Sequence, residues 1–502
     1  MWTLADVPGR YPVGATTFAT PISNDGHVIG KSKLIAGASS GGKPHAPALL
    51  LKEVVVTAYY PADTSHNETK KGMAWLTSPA KEMLRGYTKF AGMSFFVWYW
   101  LLGGIASRIK IPVFPNATLL SPSEGSRKSW PVVFFSHGLG GTRTNYSHYC
   151  SRLASQGNVV LAIEHHDGSS PFTMARTPAP GQRTSFTPEY KYYLNPEHVY
   201  WDDPSVLEGD KLALRTEQLL FRRLEVYLVY SRFKTLVQKQ ASNLADELDC
   251  HEWHTIDGPW NFKLEQRRYD AAFWKSWMSE EHPKIEFDEN VHLTGHSFGG
   301  ATVLDILSNP PPSFPGVEEF TPLPVSRGIV LDPWLEPLPS PGPGPWRVED
   351  SLNKTPRPIP RLLLLNSEGF TLWEDHFAKL KEFVQVWKQS HSGDDEQSTG
   401  EPRVRLISII RAKHMSFSDV GILFPNGLNP WGQKTSESQT FLDVITDLSS
   451  AFLESVEDFA RVLGRVRVRE ETVESVHVSK KDKATVWDKK FVGDAGDVII
   501  HV

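Results

Sequence analysis

Gly295-His296-Ser297-Phe298-Gly299 has the residue types and spacing needed for acyl transfer. A serine hydroxyl is a weak nucleophile until a base takes its proton, and Gly-x-Ser-x-Gly is a turn that presents such a serine. The turn is tight and strained, so the residues flanking it must be small, and Gly295 and Gly299 meet that demand. In front of it Val291-His292-Leu293-Thr294 reads as a strand, and behind it Gly300-Ala301-Thr302-Val303-Leu304 reads as a helix. A helix starting there turns its positive end toward the charge that develops on the carbonyl oxygen. The alternative is a chance pentapeptide in a turn; the strand–turn–helix context argues against it.

On an α/β sheet such a serine finds its partners further along the chain, the acid first and the histidine second. Asp332 ends the apolar run Gly328-Ile329-Val330-Leu331, and His414 follows the run Val404 to Ile410. Both lie at C-terminal strand ends, where open α/β sheets gather their ligands. Asp332 then orients His414 and stabilises its imidazolium, while His414 deprotonates Ser297. Glu368, Asp375 and Asp419 stand as alternative acids.

The oxyanion needs N–H donors as well. Ser136-His137-Gly138-Leu139-Gly140-Gly141 follows a strand at Pro131 to Phe135, so the backbone N–H groups of Leu139 and Phe298 are the assigned donors. Glycine-rich turns also bind phosphate, but the G-x-x-x-x-G-K-[ST] spacing is absent. His137 is read as fixing this loop. Glu164-His165-His166-Asp167 has metal-ligating types, yet turn and supporting roles are preferred, and neither a metal nor another cofactor is assigned.

These residues need a sheet to hold them. Leu49 to Tyr60 (ended by Pro61), Pro131 to Phe135, Val159 to Ile163, Val291 to Thr294, Gly328 to Leu331, Leu362 to Leu365 and Val404 to Ile410 are continuous β-branched or leucine-rich runs. Unbroken apolar runs suit strands covered by helices on both faces, and the helical segments between them imply right-handed βαβ units. The expected fold is therefore α/β, of the α/β-hydrolase type: a mainly parallel central sheet flanked by helices, with loop insertions. We expect one domain over residues 1–465, with insertions near 62–128, 168–290 and 308–326. A charged extension of weak periodicity follows at 466–502. Ser308 to Ser326 and Pro337 to Pro345 are proline-rich surface loops, and Ser390 to Pro402 is a polar, acidic one.

Composition narrows the function classes. The chain has 502 residues and a formal net charge of -5, which gives no basic face for nucleic acid. Two cysteines, Cys150 and Cys250, cannot build a disulfide framework. The stretch from Met1 to Asp6 lacks the charge and apolar run of a signal peptide, so a reducing, cytoplasmic setting is expected. Sixteen tryptophans suit a large core or contact with lipid.

One apolar run stands apart. Phe90 to Ser107 carries no charge and is flanked by Lys81, Arg85, Lys89, Arg108 and Lys110. It touches the lower length limit for a membrane span, but Gly92, Gly103 and Gly104 dilute it. Spanning would also strand Leu49 to Tyr60 away from the other strands. We read Phe95, Phe96, Trp98, Tyr99 and Trp100 as an interfacial element making peripheral contact with a membrane surface. Packing inside the protein is the competing reading.

His137-Gly138-Leu139-Gly140, Glu164-His165, Gly295 to Thr302, Leu331-Asp332-x-Trp334 and Asn366-Ser367-Glu368-x-Phe370 together resemble the plasma-type platelet-activating-factor acetylhydrolases. Pro12-Val13-Gly14 and Tyr59-Tyr60-Pro61 look like that family too, and the resemblance runs over roughly residues 12 to 425. It implies a calcium-independent phospholipase A2 acting on short or oxidised sn-2 acyl chains of phospholipids. It also implies Ser297, Asp332 and His414 as the triad and Leu139 and Phe298 as oxyanion donors. The chain departs from the pattern at His166, at Met415 and over Gln238 to Phe262. The same triad could serve a non-phospholipid ester, and a hydrolase fold can also be a non-catalytic binding protein.

Overall fold

A computed structural model describes residues 2–22, 25–36, 44–65, 71–98, 103–122, 127–178, 186–203, 206, 210–238, 254–255, 273–278, 283–316, 319–340, 342–347, 359–390, 402–423, 435–479 and 485–501. The insertion expected at Gln238 to Phe262 and the acidic loop at Ser390 to Pro402 lie almost wholly outside the described residues. The chain forms two compact units, residues 1–291 with 310–324, and residues 292–309 with 325–502.

In the first unit the strands are β1 (Val13–Pro21), β2 (Glu53–Asp63), β3 (Trp130–Ser136) and β4 (Val159–Glu164). β1 and β2 are antiparallel, β2 and β4 are antiparallel, and β3 and β4 are parallel, with Phe134 opposite Leu161. Every residue of β4 is buried, as an unbroken apolar run requires when helices cover the sheet. Helix α1 (Ser147–Ser155) packs on β2 and β4. A second helix, α2 (Lys211–Gln238), is 28 residues long and lies within the expected insertion. β2 runs on through Pro61, which was expected to end it. Proline gives no N–H, but its carbonyl accepts from Leu120 and the next N–H, of Ala62, donates to the Pro12 carbonyl.

β5 (Ile285–His296) begins in the first unit and ends in the second. It starts earlier than its apolar run suggests, because Asp288, Glu289 and Asn290 are exposed and interrupt the pattern. The second unit continues with α3 (Phe298–Ser308), β6 (Val325–Leu331), β7 (Arg361–Ser367), α4 (Glu368–Thr371), α5 (Glu374–Ser390), β8 (Val404–Ile409) and α6 (Thr435–Glu454). β6, β7 and β8 are successive parallel neighbours, the pattern that βαβ crossovers produce. Leu362, Leu363, Leu364 and Leu365 on β7 are all fully buried, each worth ~1.5–3 kcal/mol of burial. α3 packs on β6 and α5 on β8.

The strands and helices make the α/β-hydrolase architecture expected from the sequence. The described residues after 465 include three strands. Val473–Ser479 and Thr485–Phe491 form a hairpin, and β9 (Val498–His501) joins β8 antiparallel.

The run from Phe90 to Ser107 contains a short helix, Phe95–Trp98. Phe96 is 75% exposed, and the Arg85 guanidinium lies 5.1 Å from the centre of the Phe95 ring. Tyr99, Trp100 and the side chain of Trp98 lie outside what is described. Among the described residues, no helix is long and apolar enough to cross a membrane.

Candidate active site

Ser297 sits between β5 and α3 with φ 58°, a left-handed backbone that an L residue adopts only when the surroundings enforce it. Three hydrogen bonds enforce it. The Ser297 N–H donates to the Leu331 carbonyl at 2.9 Å, while its own carbonyl accepts from Trp334 and Ala301, both at 3.1 Å. A Cβ at Gly295 would fall on the backbone carbonyl of Gly299, which is the steric reason for glycine at the first position of the motif. Phe298 is the first residue of α3, so its N–H is among those a helix leaves without an intrahelical acceptor.

Asp332 follows β6, fully buried and at φ 45°. Its Oδ1 accepts from the Ser367 N–H at 2.7 Å and its Oδ2 from the Ser367 hydroxyl at 2.8 Å. Oδ2 also lies 2.7 Å from His414 Nδ1. On the other side of that ring, Nε2 lies 2.9 Å from Ser297 Oγ. His414 begins a 3-10 turn (His414–Phe417) just past β8, held by the Ser416 N–H on the Lys413 carbonyl and the Lys413 N–H on Ser416 Oγ.

Serine, imidazole and carboxylate are thus in continuous contact, each carried on the C-terminal end of a different strand. The set can abstract the serine proton, hold the imidazolium formed and return the proton to a leaving group. His414 and Asp332 also form, with His296, a group within metal-ligand reach of one another. Both nitrogens of His414 are already engaged by Asp332 and Ser297, which suits proton transfer better than ligation.

The alternative acids are placed elsewhere. The Glu368 carboxylate accepts from the Arg411 N–H at 2.8 Å, and burial pushes its carboxyl above the usual range. Asp375 lies in the first turn of α5. Asp419 is buried, and its carbonyl accepts from Ile422 and Leu423.

Three neighbours stand in motifs noted in the sequence but were given no role there. Ser367 supplies two of the hydrogen bonds to Asp332. Phe370 stacks on the His414 ring, centroids 4.3 Å apart and planes 4° apart. His296, inside the motif itself, also packs against the His414 ring, with centroids 4.5 Å apart and planes tilted by 36°. Burial and the neighbouring His414 hold the His296 imidazole well below its usual pKa, so it packs as a neutral ring.

The loop after β3 belongs to the first unit. Leu139 lies in it, half-buried, and is described here within that unit alone. His137 Nδ1 lies 2.9 Å from the Gly138 carbonyl, and its Nε2 accepts from the His165 N–H at 3.3 Å. Burial and Arg222 lower its pKa to about 3, so it is a neutral brace.

The Glu164-His165-His166-Asp167 motif packs behind this loop. His165 lies 2.8 Å from Ser136 Oγ through Nε2 and 2.6 Å from Glu225 through Nδ1. Asp167 accepts from Arg222 Nε at 2.8 Å and from Ser169. Arg222 also donates to the His137 carbonyl at 2.7 Å. These partners come from one face of α2, where Arg215, Gln218, Arg222 and Glu225 recur at helical spacing and are all buried. That spacing was a legible signal, but polar residues on a face normally mark solvent.

A family model described as platelet-activating factor acetylhydrolase, isoform II, matches residues 9–469. A platelet-activating factor acetylhydrolase of Canis lupus familiaris is 28% identical over 372 residues, 73% of this chain and 63% of that protein. The chain thus spans under two thirds of that relative's length. A putative phospholipase A2 of Schizosaccharomyces pombe is 26% identical over 392 residues, 75% of this chain and 77% of that protein. Among solved structures, a ferulic acid esterase from Streptomyces cinnamoneus matches at TM-score 0.45 and 17% identity, covering 90% of this chain and 92% of that one.

Proposed function

Since the chain belongs to the platelet-activating factor acetylhydrolase isoform II family, we propose that it is a serine-dependent carboxylic ester hydrolase of the phospholipase A2 kind. Its substrates are phospholipids with short or oxidised sn-2 acyl groups. The observation that carries this reading is the contact of Ser297 Oγ with His414 Nε2 at 2.9 Å, with Asp332 2.7 Å behind it.

In the proposed reaction Ser297 Oγ bonds to the sn-2 carbonyl carbon while its proton passes to His414 Nε2. The carbonyl oxygen takes up negative charge, for which the N–H groups of Phe298 and Leu139 are the proposed donors. The C–O bond to the glycerol breaks and the lysolipid leaves with the proton from His414. A water molecule, deprotonated by His414, then attacks the acyl-serine ester. The fatty acid departs and Ser297 recovers its proton. No step calls on calcium.

Peripheral membrane contact through Phe95 to Trp100 belongs to the proposal, supported by the exposure of Phe96 and by Arg85 and Lys89 nearby in the chain. A reducing, cytoplasmic setting belongs to it too, supported by the chain's having only two cysteines, Cys150 and Cys250, too few for a disulfide framework.

The test is hydrolysis by the purified protein of phospholipids differing only in the sn-2 chain, with fluorophosphonate labelling in parallel. Acetyl or oxidised short chains should turn over faster than long ones, and the label should sit on Ser297. Turnover of simple esters with no phospholipid hydrolysis would move the substrate to another ester. Failure to label would leave a binding protein.

A further inference from the structure

The family match ends at residue 469, yet the chain beyond it reaches the machinery just described. We propose that the described residues beyond the match, 470–479 and 485–501, are a positioning element of the active site, bracing from behind the turn that carries His414. This rests on Ser297, Asp332 and His414 being the catalytic set.

β9 pairs with β8 in register, Leu406 opposite His501 and Ile409 opposite Val498. The pairing continues past the end of β8 into the turn. The Ile410 N–H donates to the Asp497 carbonyl at 2.8 Å, and the Gly496 N–H donates to the Ile410 carbonyl at 3.2 Å. Ile410 is fully buried in a small cluster with Phe491 and Ile499, against which Leu372 packs.

Arg411, next in the chain, has φ 65°. Its N–H is held by Glu368 and its guanidinium lies 3.4 Å from Glu474 on the hairpin. The segment is itself pinned, since Asp497 accepts from Arg469 Nε at 2.6 Å and from the Asp494 N–H at 3.1 Å. The strained turn just before His414 is thus gripped by Glu368 of α4 on one side and by Glu474, Phe491, Gly496 and Asp497 on the other.

A second path runs from β9 to the carboxylate. His501, mostly buried, lies 3.2 Å from Glu471 through Nδ1 and 2.8 Å from Ser408 Oγ through Nε2. Ser408 Oγ lies 2.6 Å from Thr371 Oγ1, which donates to the Ser367 carbonyl at 2.8 Å. Ser367 makes the two hydrogen bonds that fix Asp332. The run of contacts from His501 to Ser297 Oγ is unbroken. Groups in one hydrogen-bonded network are energetically coupled, and misplacing a base by about 1 Å can cost ~100-fold in rate.

Three variants test this: removal of everything after residue 469, His501→Ala and His501→Gln. The glutamine amide can replace Nε2 as a partner for Ser408. Each is assayed for kcat and KM on a soluble short-chain ester, for fluorophosphonate labelling rate and for Tm.

His501→Ala should lower kcat and labelling rate about 10- to 100-fold, with KM within about twofold, because the base rather than the binding surface is displaced. His501→Gln should recover most of the loss. Truncation should cost at least as much as His501→Ala; if it merely unfolds the protein, the two point variants decide. Wild-type kcat and labelling in His501→Ala would overturn the proposal, whatever happens to Tm. So would equal losses in His501→Ala and His501→Gln. Ser297→Ala separates the premise: if it stays active the catalytic set is wrong, whereas if it is dead while His501→Ala is fully active, only the brace is wrong.

Discussion

Asp332→Asn exchanges one oxygen for an amide nitrogen inside a fully buried site, so its effect can be worked from the contacts. Oδ1 keeps its hydrogen bond from the Ser367 N–H, and the Ser367 hydroxyl can rotate to accept where it formerly donated. The change falls on His414. An NH2 group 2.7 Å from Nδ1 forces that nitrogen to accept, so the ring carries its proton on Nε2, facing Ser297. In that tautomer it cannot take the serine proton. The same change in a serine protease triad costs about 10,000-fold in kcat, or ~5.5 kcal/mol of barrier, and a loss of that order is expected here.

Folding should suffer little by comparison. One charge-assisted hydrogen bond is lost, worth ~1.5–3 kcal/mol, and relief of a buried charge offsets part of it. The assay is kcat/KM on a soluble short-chain ester together with the fluorophosphonate labelling rate, with circular dichroism as the control for folding. Activity within tenfold of wild type in a folded Asp332→Asn protein would refute the reasoning. The orienting acid would then be Glu368, Asp375 or Asp419.

Ser297→Ala should abolish turnover with the fold intact, His414→Ala should cost nearly as much, and the double variant should add little, because the three groups act as a unit; steady-state kinetics checks this. Activity should survive a chelator, and a calcium requirement restored by adding the ion back would sink the proposed mechanism. Replacing Phe96 and Trp98 by serine should weaken vesicle binding about tenfold or more while sparing a soluble ester, if rings at these positions enter the interface. Equal losses on both substrates would make the run core. His148 is buried near Arg152, which together lower its pKa to about 4. The unfolded chain therefore binds a proton there from about pH 6.5 downward that the folded protein refuses until about pH 4. This histidine's contribution to stability is complete above pH 6.5 and falls by ~1.4 kcal/mol per pH unit on acidification. His148→Gln should flatten the acid limb of unfolding free energy against pH by that slope.

The serine proposed as nucleophile was legible from local chemistry alone. A serine held at positive φ between a strand and a helix needs glycine where neighbouring backbone leaves no room for a Cβ, and five consecutive residues state that requirement. The buried strands were legible for a similar reason, since covering both faces of a sheet leaves no polar position to interrupt the run. β5 and β2 were misjudged at their ends: exposed acids and a proline hid strand that tertiary hydrogen bonds sustain, and Leu50–Leu51, expected at the start of β2, pairs instead with His27–Val28.

Long-range packing decided the rest. Asp332, Glu368, Asp375 and Asp419 are equivalent carboxylates in a one-dimensional reading. Only the juxtaposition of β6, β7 and β8 puts one of them against His414 and gives it two hydrogen bonds from Ser367. α2 escaped notice because its buried face is polar: the helical spacing of Arg222 and Glu225 is visible in the sequence, but the distant turns that satisfy them are not. The segment after residue 465 has weak patterning for a related reason. β9 adds to the edge of a sheet that already exists, so it draws its stability from β8 and Ile410 rather than from an apolar pattern of its own.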